Sequence, residues 1–223
     1  MRIVFVRHGE PDYARDCLTD LGKAQARQAA RRLREEGIVE LWSSPLGRAR
    51  ETALAAAETL DLPVRTLDFM QEITWSSTDA APLFAGGHPW AITDDLARRG
   101  VDLNRPDWRE LPEFRTNQVL ACVDRIEQGI DAWLADYGYV REGSGYRRAS
   151  AEPGPRTVAL FSHGGSSCAA LGHLLNLPFP HALAVLHQDF TGITLLRLDS
   201  QAGQGVHPQL KCLNDTGHLR PEP

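Results

Sequence analysis

Two arginines and two histidines stand in this sequence where a sheet protein would build a site. Arg7-His8 directly follows the apolar run Ile3-Val4-Phe5-Val6, Arg48 lies just past a shorter run at Glu40–Ser43, and His163 closes on Thr157-Val158-Ala159-Leu160-Phe161. Unbroken runs of β-branched and aromatic residues are the pattern of strands buried on both faces, as in parallel sheets. Ligands of open α/β sheets bind outside the carboxyl ends of the strands, and all four side chains fall there. Two of these ends lead into helices, whose leading N–H groups and dipole attract anions. Gly9 and Gly164-Gly165 carry no side chain and let backbone come close to a ligand. Any one arginine alone would read as an ordinary surface residue. The set of four points to a bound phosphate.

The elements that must hold these residues can be read from spacing. Thr19 is an N-cap for a helix over Asp20–Glu36 ended by Gly37, with Ala26, Ala29, Ala30 and Leu33 as its buried stripe. After Ser44-Pro45 a second helix turns Leu46, Ala49, Ala53, Ala57 and Leu60 inward and closes at Pro63. Strand, helix, strand, helix is the order of a βαβ unit. From Trp75 to Pro112 no period is clean. A long helix is expected over Glu113–Tyr137, with Val119, Val123, Ile126, Ile130 and Trp133-Leu134 on one face. Gly138 to Pro155, with Gly143-Ser144-Gly145 and Pro153-Gly154-Pro155, reads as a long loop or loose hairpin. A helix over Ser166–Leu175 and strands over Ile193–Leu198 and Gln209–Leu213 complete the chain, and no internal repeat is visible.

Composition narrows the function classes. The 223 residues suggest one domain with an elaboration, and 42% hydrophobic content can fill a core. With 24 basic against 29 acidic residues the net charge is −5, which argues against a nucleic-acid binder. No apolar run approaches the ~20 residues of a membrane span, and the N-terminal apolar stretch is too short for a signal peptide. Cys17, Cys122, Cys168 and Cys212 are scattered without a C-x-x-C pair, so reduced cytosolic thiols and a cytoplasmic location are expected. Gly164-Gly165-Ser166-Ser167-Cys168 is not a G-x-S-x-G elbow, and neither a P-loop nor an H-E-x-x-H zinc helix is present. Cys168 is expected to be a small buried residue. His173 and His181 read as surface or internally bonded histidines, with His88 and His187 the ones that could line a pocket. Arg141, Arg147 and Arg148 read as a solvated loop.

With these residues in view, a family resemblance is plain. Arg7-His8-Gly9-Glu10 resembles the R-H-G-E signature of the histidine phosphatase superfamily, the phosphoglycerate mutase-like proteins. Leu18-Thr19-Asp20-Leu21-Gly22-Lys23-Ala24-Gln25-Ala26 is similar to its L-T-x-x-G-x-x-Q-A. Ser43-Ser44-Pro45-Leu46-Gly47-Arg48-Ala49 looks like its S-S-P-L-x-R-A. Ser162-His163-Gly164-Gly165 matches the second histidine motif, and Leu213-Asn214-Asp215-Thr216-Gly217-His218-Leu219 resembles a common family ending. The motifs cover residues 1–74 and about 156–219, and no motif covers the middle.

The resemblance implies a three-layer α/β/α sandwich with a mixed, mostly parallel sheet. Residues 1–223 would form one domain, with a helical and loop insertion at about 75–155 covering the site. It implies His8 as phosphorylated nucleophile, Arg7 and Arg48 as bidentate holders of the phosphoryl oxygens, His163 as a further donor and Gly164 beside them. Phe69-Met70-Gln71-Glu72-Ile73 resembles the stretch that carries the family's proton donor, which implies Glu72 in that role, with Asp68 as the fallback. Two guanidiniums supply the countercharge, so no metal and no cofactor are expected. Trp75, Trp90, Trp108 and Arg105 are candidate substrate contacts. The activity implied is a metal-independent phosphomonoesterase acting on a small phosphorylated metabolite. Pro11 and Gly165 replace the Ser/Thr and Asn usual in the family's mutases, which ranks phosphoglycerate mutase second and an idle phospho-ligand binding module third. The partner expected is the small substrate, not nucleic acid or membrane, with the oligomeric state open and a homodimer among the options.

Overall fold

The computed structural model of the chain describes residues 1–149, 156–199 and 201–219. Its centre is a six-stranded sheet of β1 (Arg2–Arg7), β2 (Ile38–Ser43), β3 (Val64–Thr66), β4 (Thr157–Ser162), β5 (Ile193–Arg197) and β6 (Gln209–Asp215). The spatial order is β6-β5-β1-β4-β2-β3. β1, β4, β2 and β3 run parallel, while β5 and β6 add an antiparallel edge. The sheet is therefore mixed and mostly parallel, as expected.

Register levels the functional ends. Arg7 pairs with Ser162, and Phe161 faces both Val6 and Ser43. The next residue of each strand, His8, His163 and Ser44, thus emerges at one edge. Alternation along β1 and β4 divides their side chains between two cores. Ile3, Phe5, Val158 and Leu160 enter one cluster, while Val4, Val6, Ala159 and Phe161 enter the other.

The second cluster is closed by α1 (Asp20–Leu33) and α2 (Gly47–Leu60). Thr19 caps α1 as expected, its hydroxyl accepting from the Gly22 N–H at 3.0 Å. The helix passes into a 3₁₀ turn at Arg34–Glu36 and stops at Gly37, whose φ of +64° suits glycine. The buried stripe of α2 is Arg48, Ala49, Thr52, Ala53 and Ala56. Leu46, Ala57 and Leu60, expected inside, are only half-buried. The helix is rotated so that Arg48 and Thr52 reach the strand ends, a polar demand that a hydrophobic stripe does not encode.

The opposite face carries α3 (Pro89–Arg98), α4 (Val119–Ala135), α5 (Gly164–Leu175) and α6 (Phe179–Val185). α4 is shorter than the expected 113–137. Asn117 ends the preceding turns, its Oδ1 accepting from Val119 N–H at 3.0 Å while its Nδ2 donates to the Gly87 carbonyl at 2.8 Å. α3 and α6 have no counterpart in the sequence reading. Both carry a proline in the first turn and are short, ten and seven residues, which leaves fewer than three turns for a period to show. The expected loose hairpin exists as Tyr139–Glu142 against Gly145–Arg148, joined by Gly205–Val206. Its continuation through Pro153-Gly154-Pro155 lies outside the described residues. Among the described residues no single helix is long and apolar enough to cross a membrane.

Candidate active site

His8 leaves β1 at the sheet edge and is 1% exposed. Its backbone N–H donates to the Ser162 carbonyl at 2.9 Å, and the next N–H, of Gly9, donates to Thr52 Oγ1 at 3.1 Å. The ring Nδ1 lies 2.7 Å from the Gly9 carbonyl. A carbonyl can only accept, so Nδ1 carries the proton and Nε2 keeps its lone pair. Burial pulls the imidazole pKa down from 6.5 to about 3, with Arg7 and Arg48 pushing the same way against the Gly9 bond. The ring is therefore neutral and nucleophilic across the physiological range.

Around it stand cations with unused donors. Arg7 gives one Nη1–H to the Gln188 carbonyl at 2.6 Å and lies 4.4 Å over the Phe190 ring. Arg48 pairs with Asp16, whose other oxygen accepts the Gly47 N–H at the start of α2 at 2.6 Å. His163 is fully buried, and burial holds its pKa well below the ordinary value. Its Nε2 sits 2.8 Å from Ser44 Oγ, which also accepts from the Leu46 N–H at 3.3 Å. With the Ser44 hydroxyl donating to Nε2, Nδ1 carries the ring proton, the tautomer that makes the unpartnered Nδ1 a free donor. The Nε of Arg7, the Nε of Arg48 and the Nδ1 of His163 are all buried without a partner. Buried polar atoms are nearly always satisfied. Three orphan N–H groups within a positive cluster fit a tetrahedral anion, and the His8 and His163 rings are 5.2 Å apart.

Glu72 is tied to the N-terminus of α5. Its Oε1 accepts from Ser166 N–H at 2.8 Å and Ile73 N–H at 2.9 Å, and Oε2 from Gly165 N–H at 3.2 Å. Burial raises its pKa and outweighs these three bonds, which favour the charged form. A carboxyl held at a cavity wall and inclined to keep its proton suits proton donation. Asp68, the fallback, sits exposed in a 3₁₀ turn (Asp68–Met70) and does not line the cavity. Gly165 is required by packing, because a Cβ there would come within 2.5 Å of Ile73 and 2.8 Å of Glu72 Oε1. At Gly164 the nearest atom to a Cβ is the Arg7 guanidinium carbon at 3.6 Å. Gly9 answers to α1 rather than to a ligand, its Cβ position lying 2.5 Å from the Gly22 carbonyl oxygen.

Four of these groups, Arg7, Arg48, Glu72 and Gly164, line a cavity of about 380 Å³, whereas the buried His8 and His163 are not among its lining residues. Tyr13, Trp75, His88 and Trp90 line it as well. Two expected contacts are elsewhere. Trp108 is buried in the core against Phe114 and Phe179, and Arg105 is engaged by Asp107 on the surface. Arg141 is bonded to the end of α5 through the His173 carbonyl and Asn176, and Arg147 pairs with Glu142. Arg148 lies over the Tyr139 ring. His173 is held by Asp131. Cys168 touches the cavity yet is buried, its thiol pushed up to about 12 chiefly by burial. Sequence reasoning missed Gln188, Phe190, Asp16 and Ser44. The segment bearing Gln188 and Phe190 is tied to the chain end, with Asn214 bonding Asp189 through both its amide atoms and Thr191 bonding His218. The ending motif therefore supports the site without entering it.

A family model for the histidine phosphatase superfamily (branch 1) matches residues 3–215. A probable phosphoglycerate mutase, GpmB, of Yersinia pestis (strain Pestoides F) is 32% identical over 230 residues, covering 98% of this chain and 95% of that protein. A putative phosphoserine phosphatase 2 of Hydrogenobacter thermophilus is 23% identical over 220 residues, covering 95% of this chain and 96% of that one. Among solved structures, the mycobacterial glucosyl-3-phosphoglycerate phosphatase Rv2419c with inorganic phosphate superimposes with a TM-score of 0.65 at 24% identity, covering 98% and 99% of the two chains. Phosphoserine phosphatase from Entamoeba histolytica in complex with 3-phosphoglyceric acid gives 0.65 at 21%, again over 98% and 99%. Both structural likenesses show the fold.

Proposed function

Since the chain belongs to the histidine phosphatase superfamily (branch 1) and is an enzyme of it, we propose that it hydrolyses small phosphomonoesters through a phosphohistidine on His8. The observation that carries this is the neutral His8 with its Nε2 lone pair beside three buried, unpartnered nitrogens of Arg7, Arg48 and His163. A phosphoryl group seated on those donors has its charge met by two guanidiniums, which is why no metal is required by the reading. His8 Nε2 attacks phosphorus, the ester P–O bond breaks, and the leaving alkoxide takes the Glu72 proton. Water then attacks the phosphohistidine, the P–N bond breaks and Glu72 recovers a proton from that water. Gly9 holds the Nδ1 proton throughout, so His8 is regenerated in the same tautomer.

Phosphoryl return to another hydroxyl is the mutase alternative, and the 32% identical relative bearing a mutase name favours it. Against it stands Gly165. A Cβ there would meet the Ile73 side chain at 2.5 Å and Glu72 Oε1 at 2.8 Å, so the asparagine usual in the family's mutases would press on the donor. Rapid-quench labelling tests the central step. Label on wild-type protein should survive alkali and be lost in acid, as a nitrogen-bound phosphate does, and should be absent from His8→Ala. Label retained by His8→Ala would falsify the nucleophile. Hydrolysis of p-nitrophenyl phosphate without isomerisation of 3-phosphoglycerate, given a 2,3-bisphosphoglycerate primer, is the result expected. Isomerisation would establish the mutase.

A further inference from the structure

Beyond the phosphoryl seat, the cavity describes its leaving group. We infer, resting on the phosphatase reading above, that the substrate is the phosphate ester of an uncharged alcohol bearing a flat apolar or CH-rich face, stacked on Trp75 and Trp90 and hydrogen-bonded by Gln188.

Three observations converge. The first is the aromatic wall. Trp75 packs edge-on against His88 with ring centroids 4.5 Å apart, and His88 lies 5.5 Å from Trp90. All three line the cavity, and Trp75 is 37% exposed there, an unusual exposure for an indole braced by its neighbour. Aromatic rings braced against one another at 65° and 43° make a wall on which another flat group can pack.

The second is charge. Among the described residues, Arg7 and Arg48 are the only arginine or lysine side chains lining the cavity. Both are committed to the phosphoryl group. His187, also on the wall, lies 3.2 Å from the Asp189 carboxylate. A leaving group with its own carboxylate would meet an imidazole already paired and an acid behind it, with no guanidinium to spare. An uncharged alcohol avoids that desolvation.

The third is Gln188. It is 2% exposed and lines the cavity, and both Oε1 and Nε2 of its side chain are buried without a partner. Its backbone is fixed because its carbonyl accepts from Arg7. An amide offers a donor and an acceptor together, the complement of a hydroxyl. A site built to bond a hydroxyl rejects analogues lacking it, because its own buried groups would then stay unpaired. Gln188 is thus a specificity residue set one hydrogen bond away from the arginine that holds the phosphate.

An aromatic alcohol and a sugar ring share this chemistry, and a panel of alkyl phosphates of similar leaving-group reactivity separates them. We would measure kcat/KM for 2-(4-hydroxyphenyl)ethyl phosphate, glucose 6-phosphate, ethyl phosphate, O-phosphoserine and 3-phosphoglycerate. One of the two ring substrates should exceed ethyl phosphate and both carboxylate substrates by about tenfold or more, the size of one good aromatic contact. The ratio of ring substrate to ethyl phosphate should fall by about tenfold in Trp75→Ala or Trp90→Ala. Gln188→Ala should likewise lower the ratio of the preferred ring substrate to ethyl phosphate. Preference for phosphoserine or 3-phosphoglycerate, or ratios unmoved by both tryptophan variants, would overturn the inference. Binding of the same five esters to His8→Ala, followed by calorimetry, tests the ranking without turnover. If wild type fails to hydrolyse p-nitrophenyl phosphate, the phosphatase reading fails on its own, and the binding order still upholds or refutes the leaving-group assignment.

Discussion

Replacing His8 by asparagine should make the protein more resistant to acid unfolding, although it removes the proposed nucleophile. In the folded chain burial holds the ring pKa at about 3, against 6.5 when exposed. Between those values the unfolded chain binds a proton that the folded chain refuses, so stability falls as pH falls. The loss begins near 6.5 and would be complete only at about 3. At pH 5 the folded ring is still neutral, so the loss is set by the distance below 6.5, about 1.5 pH units. At 1.36 kcal/mol per unit that is about 2 kcal/mol. His163, whose pKa is lowered by the same burial, adds to the loss in both proteins and cancels in the comparison. Asparagine cannot titrate, and its amide can still donate to the Gly9 carbonyl. Urea unfolding at pH 7 and pH 5, at constant ionic strength, gives four free energies. Wild type should lose about 2 kcal/mol more than His8→Asn between the two conditions, with equal m-values. Equal losses would mean that His8 protonates in the folded state as readily as in water, and the neutral-nucleophile reasoning would fail with it.

The adjacent glycines should separate sharply. Gly165→Ala forces a Cβ to within 2.5 Å of Ile73 and 2.8 Å of Glu72 and should destabilise by about 1–3 kcal/mol in urea unfolding, whereas Gly164→Ala, with 3.6 Å of room, should stay within about 0.5 kcal/mol of wild type. Glu72→Gln should slow alkyl phosphate hydrolysis by about 10²–10⁴-fold and p-nitrophenyl phosphate hydrolysis far less, because only the alkoxide needs a proton. The burial-raised carboxyl of Glu72 should also place the alkaline fall of kcat/KM for alkyl phosphates above the ordinary carboxylate range, and this fall should vanish in Glu72→Gln. Equal losses on both substrates would assign Glu72 a role in holding α5 instead.

Much of this protein was legible in one dimension because the relevant physics is local. The runs Ile3–Val6 and Thr157–Phe161 had to be strands of a doubly covered sheet, since nothing polar interrupts them. Thr19 and Gly37 bracket their helix by hydrogen bonding and backbone conformation alone. Arg7, His8, Arg48 and His163 follow such elements directly, so topology carries them to one edge. Glu72 was legible through its resemblance to a motif, although only the structure shows that α5 holds it and that Asp68 is exposed away from the cavity.

The rest depends on contacts between residues far apart in sequence. Gln188 and Phe190 meet Arg7 across 181 and 183 positions, and no spacing rule reaches that distance. Trp75, Trp90 and Trp108 look alike as residues, yet two pack on His88 and line the cavity while one packs on Phe114 and Phe179 in the core. Gly9 and Gly165 were read as openings for a ligand and turned out to admit α1 and Glu72. The protonation states of His8, His163 and Glu72 belong to the same class. Each follows from how completely the folded chain excludes water, and burial is a property of the assembled layers rather than of any segment. Sequence by itself determined which groups could do the chemistry. Tertiary packing decided which of them carry a proton and what the cavity beside them can hold.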